Sequence, residues 1–315
     1  MQILKPSDLP AEFHTNGCVA TVGVFDGVHL GHRHVLEQVK VSAGKRKCMS
    51  VMVSFTQHPK SVLLGHAPAT VTSLRHRLRL FEECGIDATL VLDFTEELRA
   101  LSASKFVKQY LIDGLGLQEL VFGFDSKFGH DRGGNPVSLQ PLSKELGFSI
   151  TEIEPLKING RAVSSTAVRE AVQLGDLIGT EQMLGRPASI LGTVVHGDKR
   201  GRQLGFPTAN LRLHHELSPP QGVYACMVKI NGCDELVAGA VNLGVRPSFD
   251  NVEPSIEVHL IDFDGNLYDK TLEVFFLKNL RAERKFAGVE DLRQQIMLDV
   301  GSAKIVCQQF ISGKS

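Results

Sequence analysis

Between Cys18 and about Gly175, short apolar runs alternate with segments of helical periodicity, and this alternation limits the fold more than any other feature of the chain. Strands are expected at residues 19–25, 48–55, 88–93, 120–123 and 149–154, with helices at 32–43, 73–84, 104–112 and 138–146 between them. Gly44, Gly85, Gly114 and Gly147 stand just past the expected helix ends, where a left-handed cap suits glycine. Strand and helix in strict turn describe a parallel sheet covered by helices, because parallel neighbours need a crossover of about that length.

After an expected helix at 165–174 the pattern changes. Gly175, Gly179 and the breaker Gly185-Arg186-Pro187 mark a boundary near residue 186, dividing the chain into domains 1–186 and 187–315. Strands are expected beyond it at 189–195, 223–230, 236–243, 255–262 and 271–276, with turn signals at Asn231-Gly232 and Asp264-Gly265. That spacing suits an antiparallel barrel or sandwich. Residues 289–310 set Leu292, Ile296, Val300 and Ile305 at roughly helical spacing, so a C-terminal helix is expected to cover it. The length of 315 residues fits two domains of ordinary size.

Charge excludes several partners. With 34 Lys plus Arg against 35 Asp plus Glu, the net charge of -1 supplies no general basic field for nucleic acid or an anionic membrane. The longest apolar runs fall well short of the roughly 20 residues a membrane helix needs. The first ten residues carry two prolines and no apolar core, unlike a secretory signal, so the cytoplasm is the expected location. Cys18, Cys48, Cys84, Cys226, Cys233 and Cys307 form no CxxC pair and read as free, mostly buried thiols.

Two segments carry chemistry. The first, residues 21–32, runs from a strand through Gly23, Phe25, Asp26, Gly27, His29 and Gly31 to His32 at a helix start. Glycines allow close backbone approach and a helix start favours anionic oxygen, so this is a phosphate site by expectation. His29 and His32, three residues apart, share a face wherever the turn is helical and are expected to point at one phosphate. Such a pair suits charge building on a phosphate and a leaving pyrophosphate, although two surface histidines fit the spacing equally. Neither GxGxxG nor a P-loop motif occurs here. Ser164, Ser165 and Thr166 precede a helix, where hydroxyls either cap it or bind an anion, and Arg169 adds a guanidinium.

The second segment, residues 196–210, is glycine-rich and basic and ends in Pro207-Thr208-Ala209-Asn210. It reads as a solvated turn or as a cover for phosphates, with Thr208 and Asn210 as hard oxygen donors for Mg²⁺. Along 255–262, alternation sets Ile256, Val258 and Leu260 on one strand face and Glu257 with His259 on the other.

These strings resemble a known family, the bacterial bifunctional riboflavin kinase/FMN adenylyltransferases, also called FAD synthetases. GVFDGVHLGH at 23–32, Ser54-Phe55 with His58-Pro59, Gly123-Phe124-Asp125 through Arg132 and Gly134, and the SST string at 164–166 are similar to its adenylyltransferase motifs. Gly197, Gly201, Arg202, Gly205 and the following FPTAN string resemble its kinase signature. The resemblance implies a Rossmann-like nucleotidyltransferase domain, then a β-barrel riboflavin kinase domain with a C-terminal helix. It implies ATP as co-substrate, Mg²⁺ as cofactor, and riboflavin and FMN as substrates, with no nucleic-acid or membrane partner.

By the same resemblance, Gly23, Phe25, Asp26, His29, Gly31 and His32 attend ATP in the first domain, opposite Ser164, Ser165, Thr166 and Arg169. His58, Asp125 and Arg132 are expected near FMN. In the second domain Glu257 matches the family's base, while Tyr224, Asn242 and Arg281 fall in flavin-side segments. Thr56 and Gln57 replace an acidic-proline pair, Ala167 a commonly basic position and Asp269 a glycine. A chain with one silent half and a flavin-binding regulator are the competing readings; intact His29, His32, Thr208, Asn210 and Glu257 speak against the regulator.

Overall fold

A computed structural model of the protein describes residues 1–57, 69–124, 126–130, 133–197, 200–213, 216–233, 235–247 and 252–313. The chain forms two compact units, Met1–Ala167 and Val168–Ser315.

The first unit is built on six parallel strands: β1 (Gln2–Leu4), β2 (Cys18–Val22), β3 (Met49–Phe55), β4 (Ala88–Leu92), β5 (Leu117–Phe122) and β6 (Ser149–Glu152). Their order is β1-β4-β3-β2-β5-β6. From β2 the chain first builds outward through β3 and β4, then returns to lay β5 on the other side of β2. The carboxyl ends of β2 and β5 therefore flank a topological switch point, the place where open α/β sheets take ligands.

Helices α1 (Leu30–Arg46) and α2 (Leu74–Glu83) cover one face, where Leu36, Val39, Leu80 and Phe81 pack on Val19, Met52 and Val121. On the other face lie α3, formed by contiguous turns Ala103–Phe106, Val107–Ile112 and Asp113–Leu115 with the middle one π-helical, and α4 (Pro136–Leu146). Their Phe106, Leu111 and Leu139 pack on Ala20, Val53 and Leu120.

The expected layers are present, with differences at the ends. Gly85 and Gly147 are left-handed at the ends of α2 and α4. Gly44 instead lies inside α1, which ends on left-handed Lys47, and Gly114 lies inside α3, which ends at Gly116. A Cβ on Gly116 would sit 2.1 Å from the His14 carbonyl oxygen, so glycine is required there. β1 went unforeseen because three residues carry too little periodicity.

A small hairpin, β7 (Lys157–Ile158) with β8 (Arg161–Ala162), leads to α5 (Ser165–Leu174), within which the first unit ends. α6 (Leu177–Leu184) follows. The second unit closes β9 (Ser189–Val195), β10 (Ala209–Leu213), β11 (Gly222–Ile230), β12 (Leu236–Pro247), β13 (Val252–Leu260) and β14 (Thr271–Arg281) into an antiparallel barrel, ordered β10-β13-β12-β11-β14-β9. Barrel closure decides between the two all-β alternatives and leaves no open sheet edge. Inside are Ile190, Tyr224, Cys226, Val241, Val258, Val274 and Phe276. Helix α7 (Val289–Ser312) lies on the outer surface, with Ala303 against Ala225 and Ala240 and the Cys307 thiol donating to the Cys226 carbonyl (3.2 Å). All six cysteines are free; Cys18, Cys226 and Cys307 are buried, whereas Cys233 is exposed.

One polar cluster braces the first unit. Buried Glu119 on β5 accepts from Ser42 (2.6 Å) and Arg46 (2.9 Å) of α1 and from Thr151 (2.7 Å) of β6. Burial pushes its carboxyl up, but the bonds from Ser42, Thr151 and Arg46 outweigh this and hold it below the usual carboxylate value. A depressed folded value contributes stability above the unfolded value, and that contribution is lost as pH falls through the folded value. Glu119→Gln should therefore cost about 1–3 kcal/mol at neutral pH, and the difference from wild type should vanish on acidification, as denaturant titration at two pH values would register. A constant difference down to strong acid would contradict this.

Candidate functional site

At the switch point the chain leaves β2 and turns sharply before α1. Phe25 (φ 53°), Gly27 (φ 81°) and Val28 (φ 42°) are all left-handed. Val28 is β-branched and buried, so its conformation is strained and must be held by its surroundings. Strain of this kind gathers where a loop serves a ligand. A Cβ on Gly23 would meet the Phe25 ring at 2.9 Å, which keeps that position bare.

Phe25, His32 and His29 form one stack: Phe25 and His32 centroids lie 4.3 Å apart, His32 and His29 3.6 Å apart. His29 is the N-cap of α1, its Nδ1 accepting from the His32 amide (3.3 Å). An accepting Nδ1 leaves the proton of neutral His29 on Nε2, as a donor. His32, between two rings, has its Nδ1 enclosed without a hydrogen-bond partner. Burial, then His29 and Arg77, push its pKa well below the usual histidine value, so it is neutral near pH 7. The two histidines are thus unlike: the spacing lets both point at one phosphate, and in the structure their rings are stacked with His29 alone heading the helix.

Asp26 is buried and its carboxylate is turned into the protein. It accepts from the amides of Val71 (3.1 Å) and Thr72 (3.0 Å) and from the Thr72 hydroxyl (3.3 Å). Thr72 Oγ1 in turn accepts from the Gly27 amide (2.8 Å). Ser165 donates to the Asp26 carbonyl (2.9 Å), which brings the start of α5 to the histidine loop. Gly31 belongs to the same contact, since a Cβ there would lie 3.7 Å from the Val163 carbonyl oxygen. Ser164 caps α5 by accepting from the Ala167 amide (3.2 Å), and Thr166 is exposed. Arg169 follows one turn along the helix, half-buried. His58, Asp125 and Arg132 lie outside the described residues. Phe124, beyond β5, is 61% exposed and presents an aromatic face.

In the barrel, strand register sets the site. Glu257 on β13 stands opposite Asn210 on β10 and Asn242 on β12, so the three share the outer face in one row. Ile256, Val258 and Leu260 point inward, as the alternation implies. Glu257, Asn242, His259, Arg281, Phe286 and Asp299 line a cavity of about 300 Å³ between the barrel's outer face and α7. A second cavity, about 410 Å³, is lined by Arg202, Thr208, Phe263, Asn266 and Tyr268. Thr208 borders both.

Glycines bring the basic loop against these strands. A Cβ on Gly197 would lie 2.2 Å from Asn210 Nδ2, and one on Gly201 would lie 2.4 Å from the Phe206 carbonyl oxygen. Gly205 is left-handed (φ 86°). His259, without a role in the sequence reading, donates from Nδ1 to the Pro207 carbonyl (2.8 Å) and so fixes the chain just ahead of Thr208. β10 was not expected from the sequence, because the string read as a loop through Asn210 runs into its first two residues.

Arg281 reaches Asp299 of α7 through Nε (3.0 and 3.1 Å) and Nη2 (2.8 Å), with Phe286 under its guanidinium. Gln295 also donates to Asp299 (2.8 Å). No sequence signal marked Asp299, because its partner is on a strand and its helix looked merely amphipathic. Tyr224 stands apart: its ring is inside the barrel against Phe276, its hydroxyl donates to the Pro220 carbonyl (2.6 Å), and burial pushes its pKa up. Asp299→Ala would strand the Arg281 guanidinium and should cost about 3 kcal/mol, lowering the thermal midpoint of the whole protein; an unchanged midpoint would refute the tie.

The family model for FAD synthetase matches residues 11–167 and that for riboflavin kinase residues 184–307. The bifunctional riboflavin kinase/FMN adenylyltransferase of Haemophilus influenzae is 39% identical over 91% of this chain and 94% of its own. The enzyme of the same description from Pseudomonas fluorescens is 41% identical over 91% and 92%. A solved structure described as a macrolide-efflux protein from Streptococcus pneumoniae superposes with a TM-score of 0.83 at 28% identity, covering 96% of this chain and 99% of that one. No helix among the described residues is long and apolar enough to cross a membrane. Matches of this extent, in both halves and in one order, make the chain a member of the bifunctional riboflavin kinase/FMN adenylyltransferase family.

Proposed function

We propose that the chain converts riboflavin to FMN in the barrel and FMN to FAD in the parallel-sheet unit, using ATP in both steps. The kinase is assigned to residues 187–315 and the adenylyltransferase to 1–186, in the cytoplasm. The observation that carries the reading is Thr208, which borders two cavities at once, one walled by Glu257 and Asn242 and the other by Arg202 and Asn266. Two substrates that meet at one hydroxyl are what phosphoryl transfer requires.

In the barrel, riboflavin occupies the cavity of Glu257 and ATP the neighbouring one. Glu257 accepts the proton of the ribityl 5′-hydroxyl as its oxygen attacks the γ-phosphorus, and the bond from that phosphorus to the bridging oxygen of ADP breaks. Asn242 and Asn210, flanking Glu257 in the row, orient the hydroxyl and the phosphates. The donors offered by Thr208 and Asn210 are neutral hard oxygens beside a phosphate loop, a set that fits Mg²⁺ sharing its coordination with nucleotide phosphates and water. Mg²⁺ bound there would neutralise charge on the transferring group. Arg281 and Phe286 hold the flavin side against α7.

In the parallel-sheet unit, an FMN phosphate oxygen attacks the α-phosphorus of ATP and pyrophosphate leaves. His29 donates from Nε2 at the start of α1, where the helix dipole adds to its effect on anionic oxygen. Ser165 and Ser164 bring the start of α5 to the same loop, with Thr166 and Arg169 following toward the triphosphate. FMN is assigned to His58, Asp125 and Arg132. Each step moves one phosphorus in line with no covalent enzyme intermediate, so rate comes from positioning and charge.

Single-site variants separate the halves. Glu257→Ala should lower FMN formation by on the order of a hundredfold or more and leave FMN-to-FAD conversion intact. Replacing His29 and His32 together with alanine should do the reverse, by about a hundredfold or more. Equal loss of both activities in either variant would refute the assignment of one step to each unit.

A further inference from the structure

Arg77, on α2, is 2% exposed, a depth at which arginine is seldom found without a task. Its Nη1 donates to the Val24 carbonyl (3.0 Å) and its Nη2 to the Phe55 carbonyl (2.8 Å), while Nε is enclosed without a partner. Those carbonyls lie where β2 and β3 leave the sheet, and Val24 immediately precedes left-handed Phe25. The same two strand exits are tied once more by Ser54, whose hydroxyl reaches the Val24 carbonyl (3.5 Å). A guanidinium is an expensive choice for such a brace, since an apolar side chain would fill the volume without the desolvation cost.

We propose that Arg77 is a positioning residue for adenylyl transfer: its guanidinium fixes the exit of β2 so that Phe25, His32 and His29 stay stacked, and it sets a permanent positive charge on the protein side of the phosphate loop. The inference rests on the reading of this loop as the site of FAD formation. Burial pulls the Arg77 pKa down to about 10, against the opposing pull of Asp26, so the group stays charged at neutral pH. The charged and titratable groups acting on His32 are His29, from its own helix start, and Arg77, from α2; Asp26 of the loop acts on Arg77. Arg77 and His29 therefore both favour the neutral His32 that can remain between two rings. Without the Arg77 charge His32 protonates at higher pH, although burial still holds it low, and a charged ring is held less well between two others.

Wild type, Arg77→Met and Arg77→Lys, each as the full chain, would be assayed for FMN-to-FAD conversion with ATP and Mg²⁺ from about pH 5.5 to 8.5, across histidine's range. Riboflavin-to-FMN conversion serves as the control. Arg77→Met should lose kcat for FAD formation by on the order of a hundredfold, the scale of a misplaced catalytic group. Its acidic limb should move to higher pH while FMN formation is unchanged. Arg77→Lys should keep the wild-type acidic limb but not the full kcat, because one ammonium cannot span both carbonyls as the guanidinium fork does. A wild-type kcat in Arg77→Met, or a loss of rate with an unmoved acidic limb, would overturn the proposal. If Arg77→Met does not fold, Arg77→Lys decides: reduced kcat with an unmoved limb supports the proposal, and wild-type kcat overturns it. A wild type that makes no FAD would instead sink the underlying reading of the loop, and this inference with it.

Discussion

A slip of one residue in the pairing of β13 would carry Glu257 into the barrel interior and push Val258 out into the cavity, because successive side chains on a strand face opposite ways. The row of Asn210, Glu257 and Asn242 rests on that register. It is fixed on both sides, by Asn210 of β10 and by Asn242 of β12, and by the inward set of Ile256, Val258 and Leu260. Barrel closure removes the freedom an open sheet would have to slide at its edges. Once the row is set, the remaining parts fall against it. Gly197 lays the basic loop on Asn210, His259 pins Pro207 ahead of Thr208, and the Arg281–Asp299 pair fastens α7 beside the cavity.

The parallel-sheet unit answers the same need with a different device. Its strands set a switch point between β2 and β5, but the loop that occupies it is strained at Phe25 and Val28. Such a conformation persists only where neighbours over-determine it. Asp26 bound to residues 71 and 72, Ser165 bound to the Asp26 carbonyl, and Arg77 bound to the Val24 carbonyl hold the loop from three directions. In both units, then, side chains far apart in sequence hold a short glycine-bearing segment at strand ends.

Much of this was legible in the sequence. The alternation of strand and helix gave the parallel sheet, and the change of rhythm beyond residue 175 gave an all-β second part. Alternation along 255–262 set Glu257 apart from its apolar neighbours. Contacts made across the fold were not legible. Asp26 read as a loop acid at the phosphate site because nothing local says that residues 71 and 72 come to meet it. His29 and His32 read as equivalent because spacing reports direction along a helix, not which ring is enclosed. Tyr224 read with the flavin-side segments, yet its strand alternation turns it into the core and leaves Val223 facing the cavity. Asp299 became visible only once α7 lay on the barrel.

One chain that carries both phosphoryl-transfer steps should perform them in order, at two separate sites. A chromatographic time course of the purified protein with riboflavin, ATP and Mg²⁺, repeated from FMN, tests it most directly. FMN should appear before FAD in the first run, and FAD should form directly in the second. FMN that accumulates with no FAD in either run, or flavin that binds without turnover, would contradict it.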